Sequence, residues 1–427
     1  MKFVSSRNRQ RLFSLKDAVF KGLAPDGGLF MPAKYPEVCG GNIKYSASAG
    51  FAGLAFQLAL PFLEEDLKDD AIRRIITASF DFDIPLRAIK DNIYALELFH
   101  GPTLAFKDIG ARFMARLMAE LNSDNKDITI LVATSGDTGG AVASAFHGIE
   151  NIKVTVLYPK GKVSEFQKKQ FTTLGNNVNC LAVEGNFDDC QRLVKKAFND
   201  TELRKKINLS SANSINIGRW LPQSFYYHWG IIQWDRVFPG ILPVIAVPSG
   251  NYGNLAAGML AYYSGVSAQG FIAASNINNT VPKYLETGVY SPRKSIPTVA
   301  NAMDVGDPSN FERMKYMGGS RDQLRSIISA YTFADQEITG CISEVFEETG
   351  YILDPHSATG YLALKNQGKQ GFFIATAHPV KFLDVIPENV RKHVELPSHF
   401  RENKKKSMSV NISANYADFR QYLEANQ

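Results

Sequence analysis

Residues able to do chemistry gather in a few short stretches of this 427-residue chain. The first is His100-Gly-Pro-Thr-Leu-Ala-Phe-Lys107-Asp-Ile-Gly-Ala-Arg-Phe113. It follows a strand-like segment, runs into a helix-like one, and places one lysine at the turn. A lysine held there can form a Schiff base with a carbonyl cofactor. Taken by itself, such a lysine is ordinarily a solvated charge. The second stretch is Ala133-Thr-Ser-Gly-Asp-Thr-Gly-Gly140, after a strand and before a helix. Its hydroxyls (Ser135, Thr138) and freely turning glycines suit an anion at a helix N-terminus, though a plain helix cap has the same composition. The third, Pro248-Ser-Gly-Asn-Tyr-Gly-Asn254, repeats that logic. It lacks the Lys-Ser/Thr of a nucleoside-triphosphate loop, and neither stretch has dinucleotide spacing. Two anion cradles point to two anionic groups at one site, one from a cofactor and one from a substrate. The fourth is Ile374-Ala-Thr-Ala-His-Pro-Val-Lys381. Thr376 ends a strand, where α/β enzymes place ligand contacts. A threonine hydroxyl can hydrogen-bond a ring nitrogen without protonating it. His378 beside it, and His356, are of a type more often structural. The amide-rich run Asn276-Ile-Asn-Asn-Thr280 and the stretch from Thr298 to Arg313 suit either a polar pocket or a capped surface loop.

Positioning these stretches requires alternating strands and helices. Residues 47–80 repeat apolar side chains at helical spacing, and Pro61 is expected to divide them into two or more helices. Ile93–Phe99 reads as a strand. From 108 to 198 helices alternate with the apolar strands 128–133, 152–158 and 178–183. After the aromatic run 220–229 the pattern resumes with strands at 241–247, 269–274 and 371–376. Helices are expected at 255–263, 338–349, 356–364 and 416–423, and residues 276–312 read as loop. Buried apolar strands between helices imply an open, mostly parallel sheet.

Composition narrows the function classes. Apolar residues make up 45% of the chain, enough for a large core and more than one domain. The net charge of +5, spread over 47 basic and 42 acidic residues, favours an anionic small substrate and gives no nucleic-acid signature. The densest basic run, Lys404-Lys405-Lys406, reads as a solvated face. Cys39, Cys180, Cys190 and Cys341 form no CxxC pair, so neither a zinc site nor a disulfide scaffold is indicated. No signal-peptide core or membrane-spanning run is present, which fits a cytoplasmic protein.

Together the motifs resemble the threonine synthases, pyridoxal-phosphate enzymes of fold type II in the tryptophan-synthase β-like group. The resemblance rests on Gly27-Gly-Leu-Phe-Met-Pro32, Glu97 to Asp108, Thr134-Ser-Gly-Asp-Thr-Gly139 and Ser249-Gly-Asn-Tyr-Gly-Asn254. It also rests on Gly306-Asp-Pro-Ser-Asn310, Asp354-Pro-His356 and Ala375 to Lys381. These occur in the family's order, and the length is similar to the bacterial and fungal branch. The implied fold class is α/β, with two open mostly parallel sheets flanked by helices and a mostly helical N-terminal part. The domains expected are 1–95, 96–220 (smaller, with the lysine and the carboxylate loop) and 221–427 (larger, with the cofactor-phosphate loop). By resemblance, Lys107 carries pyridoxal 5'-phosphate and is the catalytic residue. Gly250, Asn251, Tyr252, Gly253 and Asn254 bind the cofactor phosphate, and Thr376 meets the pyridine nitrogen. Ser135, Asp137 and Thr138 meet the substrate carboxylate, with Asn278, Asn310 and Arg313 as further substrate contacts. The implied reaction converts O-phospho-L-homoserine and water to L-threonine and phosphate. Threonine dehydratase and cysteine synthase chemistry are the alternatives within the fold. A monomer or homodimer is expected, with no nucleic-acid or membrane partner.

Overall fold

The computed structural model describes residues 1–37, 50–400 and 405–426. Cys39, Lys404 and residues 47–49 of the helical run lie outside the described residues. The strands are β1 (Phe3–Ser5), β2 (Phe30–Pro32), β3 (Leu86–Lys90), β4 (Ile93–Glu97), β5 (Ile128–Ala133), β6 (Ile152–Pro159) and β7 (Val178–Glu184). They continue with β8 (Leu209–Ser211), β9 (Val244–Pro248), β10 (Gly270–Asn276), β11 (Ile328–Phe333), β12 (Gly371–Ala375) and β13 (Val410–Ser413).

Two sheets carry the site. The larger runs β11-β10-β9-β12-β4-β3 and is parallel except for the β3–β4 hairpin. The smaller runs β13-β7-β6-β5-β8 and is wholly parallel. Parallel strands need helices on both faces, and this explains their continuous apolar character. Val244–Pro248 and Gly371–Ala375 are buried at every position. On one face of the larger sheet, Ala246, Ile272 and Phe373 pack with Ile338, Ile342 and Leu364 of the helices Asp335–Thr349 and Pro355–Gln367. In the smaller sheet, Leu131, Leu157 and Leu181 pack with Leu193 and Val194 of the helix Phe187–Asn199.

The N-terminal part shares its core with the catalytic body. The helix Asp69–Ser79 lies against the helix Lys107–Leu121. Just past its end, Phe80 stacks on Phe113 with ring centroids 6.2 Å apart. Phe80 and Phe113 both meet Phe225 edge-on.

Several expectations are corrected. The run 50–80 does form two helices, Gly50–Leu63 and Asp69–Ser79, but the break falls two residues after Pro61 and not at it. Phe62 and Leu63 are buried there, and their burial outweighs the missing N–H bond. Residues 276–312 are not all loop, since Thr280–Thr287 is helical and Asn301–Met303 forms a 3₁₀ turn. The aromatic run belongs to the short helix Ile217–Trp220, a 3₁₀ turn and the helix Phe225–Val237. Sheet membership also crosses the linear boundaries read from the sequence. β3 and β4 join the larger sheet, and β13, from the end of the chain, completes the smaller one beside β7.

Candidate active site

Lys107 is the first residue of the helix Lys107–Leu121, at the end of the turn leaving β4. That turn is clasped to the end of β12. Phe106 N–H donates to the Thr376 carbonyl at 2.8 Å, and His378 N–H donates to the Leu104 carbonyl at 3.0 Å. Ala105 and Ala377 form an antiparallel bridge between the two bonds. The backbone thus fixes Lys107 relative to Thr376, although 269 positions separate them in sequence order from Lys107 to Thr376. Within the turn, Asp108 accepts from Thr103 N–H at 2.8 Å and from its hydroxyl at 2.6 Å. Thr376 N–H donates to Ser357 Oγ at 3.3 Å. Ser357 is held in turn by Asp354, the N-cap of the next helix. His356 Nδ1 lies 2.7 Å from Asp354, and its Nε2 accepts from Ala302 N–H at 3.1 Å, so the network assigns the proton to Nδ1.

The Lys107 amine faces the small-sheet side. Its Nζ is 3.5 Å from Asp137 Oδ2, and its side chain is 17% exposed. Burial pushes the amine below the usual lysine range; Lys381 and Arg219 push the same way, against Asp137. A lysine so placed is more often a neutral nucleophile and base. Asp137 opens the helix Asp137–Phe146. Burial pushes its carboxyl up, but Lys381, Lys107 and the Gln167 amide outweigh burial and hold it well below the usual carboxylate range. Gln167 donates to its Oδ1 at 2.8 Å, and Lys381 Nζ lies 3.0 Å from the same oxygen. The preceding turn needs Gly136, at φ 150°, where a Cβ would come within 2.6 Å of Gln167. Thr134 Oγ1 accepts from the N–H groups of Gly136 and Gly139, while Ser135 and Thr138 remain partly exposed.

The second cradle follows β9. Tyr252 adopts the left-handed region (φ 60°) directly before the helix Gly253–Tyr263. That conformation turns successive N–H groups into a concavity at the helix's positive end. The Tyr252 hydroxyl is 2.8 Å from Ser275 Oγ, which anchors the ring in the core. Asn251 Nδ2 donates to Ser214 Oγ at 2.7 Å, and Asn310 Nδ2 reaches the same oxygen at 3.2 Å. Ser214 therefore accepts twice, leaving its own hydrogen to donate. Gly250 passes so close to Met303 that a Cβ would lie 2.5 Å from Met303 Cα.

The structure reassigns five of the residues read from the sequence: Asn254, Asn278, Asn310, Arg313 and Asp137. The Asn254 side chain turns into the core, where its Oδ1 accepts from the Tyr226 and Tyr227 hydroxyls at 2.5 and 2.6 Å. Its Nδ2 is left buried without a partner, and its backbone N–H lies in the first helical turn beside the cradle. Arg313 is fully buried over Trp220 and donates to the Ser214 and Ile215 carbonyls and to Asn310 Oδ1. Through its two terminal nitrogens it braces Ser214 and Asn310. Asn278 is consumed by Asn276, Asp304 and the Ile296 backbone. Asp137, ionised and held between the Lys381 and Lys107 nitrogens, would repel a carboxylate. That leaves the Ser135 and Thr138 hydroxyls as the carboxylate donors in its loop. Sequence reading singled out neither Lys381 nor Ser214 as a site residue. Lys381 ends a quoted motif, and Ser214 lies in Asn213-Ser-Ile-Asn216, amid amides unusual for a domain connection.

With this geometry in place, the relatives decide the family. The family described as "Threonine synthase N terminus" matches residues 2–80, and "Pyridoxal-phosphate dependent enzyme" matches residues 83–373. Threonine synthase of Escherichia coli (strain K12) is 39% identical, covering 100% of both chains. The chain belongs to the threonine synthase family. Threonine synthase of Schizosaccharomyces pombe is 31% identical, over 89% of this chain and 87% of its own. The Escherichia coli crystal structure matches with a TM-score of 0.90 at 37% identity, covering 100% of both chains. The pyridoxal-phosphate-bound threonine synthase from Brucella melitensis matches with a TM-score of 0.92 at 33% identity, covering 100% and 99%. The fold is therefore fold type II, and the enzyme is pyridoxal-phosphate dependent.

The residues present fit that cofactor. One partly exposed amine of lowered basicity lies beside Asp137, and a left-handed turn at a helix N-terminus presents N–H donors beside the spare Ser214 hydroxyl. A strand-end threonine is tied to the amine's own turn. Among the described residues no group of three or more His, Cys, Asp or Glu could hold a metal ion. Among them, too, no helix is long and apolar enough to cross a membrane.

Proposed function

We propose that the chain converts O-phospho-L-homoserine and water to L-threonine and phosphate, with roles as follows. Bound pyridoxal phosphate supplies an electron sink for charge developing on the substrate carbons. Lys107 holds the cofactor's carbonyl carbon through its amine. With its amine free, Lys107 would take and return protons at the α and β carbons of the substrate. Burial lowers its pKa from the usual lysine range, which favours the neutral form that can act as a base. The N–H groups of Gly250 to Asn254, with Asn251 and the Ser214 hydroxyl, hold the cofactor phosphate. Thr376 meets the ring nitrogen through a neutral hydroxyl. Ser135 and Thr138, at the N-terminus of the helix Asp137–Phe146, take the substrate carboxylate. Asn310 and Arg313 act indirectly by bracing Ser214.

The observation that carries this reading is the clasp joining the Lys107 turn to Thr376, which holds the two cofactor contacts in one frame within a chain of this family. The test adds O-phospho-L-homoserine to the purified holoenzyme. Phosphate and threonine should appear in equal amounts, and Lys107→Ala should abolish steady turnover. Deamination of free threonine, with no phosphate released from phosphohomoserine, overturns the proposal in favour of a dehydratase.

A further inference from the structure

The proposed chemistry makes no use of Lys381, one of the most deeply buried cations in the chain. Its side chain is 0% exposed. Its Nζ meets three acceptors: Asp137 Oδ1 at 3.0 Å, Gln170 Oε1 at 3.0 Å and the Thr103 carbonyl at 2.5 Å. An ammonium has three hydrogens, and these acceptors use all of them. Lys381 thus has no donor left for a substrate phosphate. The acceptors come from three places. Thr103 lies in the lysine turn, Gln170 on the helix Glu165–Thr172, and Asp137 at the head of the helix Asp137–Phe146. Lys381 itself sits on the 3₁₀ turn Pro379–Phe382 that follows β12. The contact therefore runs from the larger sheet to two helices flanking the smaller one. Gln170 Nε2 also donates to the Thr103 carbonyl at 3.1 Å, closing the network. One carboxylate, Asp137, is shared by two lysine nitrogens: Oδ1 faces Lys381 and Oδ2 faces Lys107.

We propose that Lys381 is a positioning residue that bolts Asp137 across the cleft and, by sharing that carboxylate with Lys107, governs when the Lys107 nitrogen can release its proton. The proposal rests on the reading of Lys107 as the cofactor-bearing residue. The charged groups around this centre are Asp137, Lys381, Arg219 on the helix Ile217–Trp220, and Asp108 on the lysine's own helix, itself near Arg112. Burial, Lys381 and Arg219 act on Lys107 in one direction and Asp137 in the other.

Removing Lys381 or removing Asp137 should therefore shift Lys107 in opposite directions, which a loss of structural support alone would not do. The measurement is a pH titration of the cofactor absorbance in the holoenzyme, reporting the protonation midpoint of the nitrogen that Lys107 contributes. Lys381→Met should raise that midpoint by about one pH unit and Asp137→Asn should lower it by about one, the scale set by a charge within ~4–6 Å. Lys381→Arg should keep the midpoint near that of the parent. If Lys381→Met does not fold, Lys381→Gln, which keeps an amide donor and removes the charge, carries the same expectation. A midpoint unmoved by loss of the Lys381 charge, or moved the same way in the lysine and aspartate variants, overturns the proposal. A parent enzyme that shows no cofactor absorbance linked to Lys107 would instead sink the functional reading.

Discussion

Two non-glycine residues sit in the left-handed region at the two turns proposed to hold the cofactor: Leu104 at φ 59° and Tyr252 at φ 60°. For an L-residue this costs about 1–2 kcal/mol, and it persists only where the surroundings over-determine it. Leu104 is fully buried, and Tyr252 is fixed through its hydroxyl to Ser275. Strain is thus held where a turn must aim N–H groups or an amine, and neither residue type announces it in sequence. Gly250 is a sharper case because its close neighbour is backbone, which cannot rotate away. Gly250→Ala places its Cβ 2.5 Å from Met303 Cα. Overpacking of about 1–3 kcal/mol displaces the loop from its cradle geometry. The expected result is cofactor affinity weakened by up to about 5- to 150-fold, read by absorbance titration of the apo-protein. An unchanged dissociation constant would show that the loop's position is unimportant to the cofactor.

At the scale of elements, what was legible in the sequence follows burial. The seven strands inside the two sheets, β4, β5, β6, β7, β9, β10 and β12, are apolar runs and were readable as such. The four edge strands β3, β8, β11 and β13 were not. β3 is half solvated and charged, with Arg87 and Lys90 exposed, and β8 is buried but only three residues long with two serines, so neither carries a continuous apolar run or clean alternation. The site followed the same division. The motif loops were legible because strand-to-helix turns need particular residues. The bolt at Lys381 was not, because its partners come from distant elements and no local spacing brings them together. Pro61 is the opposite error, a local rule overruled by burial. Pro61→Ala restores an N–H toward the Gln57 carbonyl inside the helix Gly50–Leu63. It should stabilise the protein by about 1 kcal/mol after the loss of proline's restraint on the unfolded chain. Urea unfolding measures this, and a lower midpoint would show that the proline is required by its packing.

Across the whole molecule, the chain's last elements belong to a sheet made much earlier. β13 covers the β7 edge, and Ile412, Phe419 and Leu423 close the apolar cluster of the smaller sheet. Ending the chain after Met408 removes those three buried side chains, worth about 5 kcal/mol, and leaves β7 as an open edge. The truncated protein should unfold at markedly lower denaturant and bind hydrophobic dye. Equal midpoints for the truncated and full chains would show that the smaller sheet is self-sufficient.

The order of strands in the larger sheet also sets a timetable. β12 lies between β9 and β4, yet it is made after both and after β10 and β11. Until the ribosome has passed residue 375, the β3–β4 hairpin has no neighbour in that sheet, and the Lys107 turn has no Thr376 to clasp. An amine poised to react with any aldehyde is therefore synthesised early and seated late. The topology withholds its final setting until nearly the whole enzyme exists to surround it.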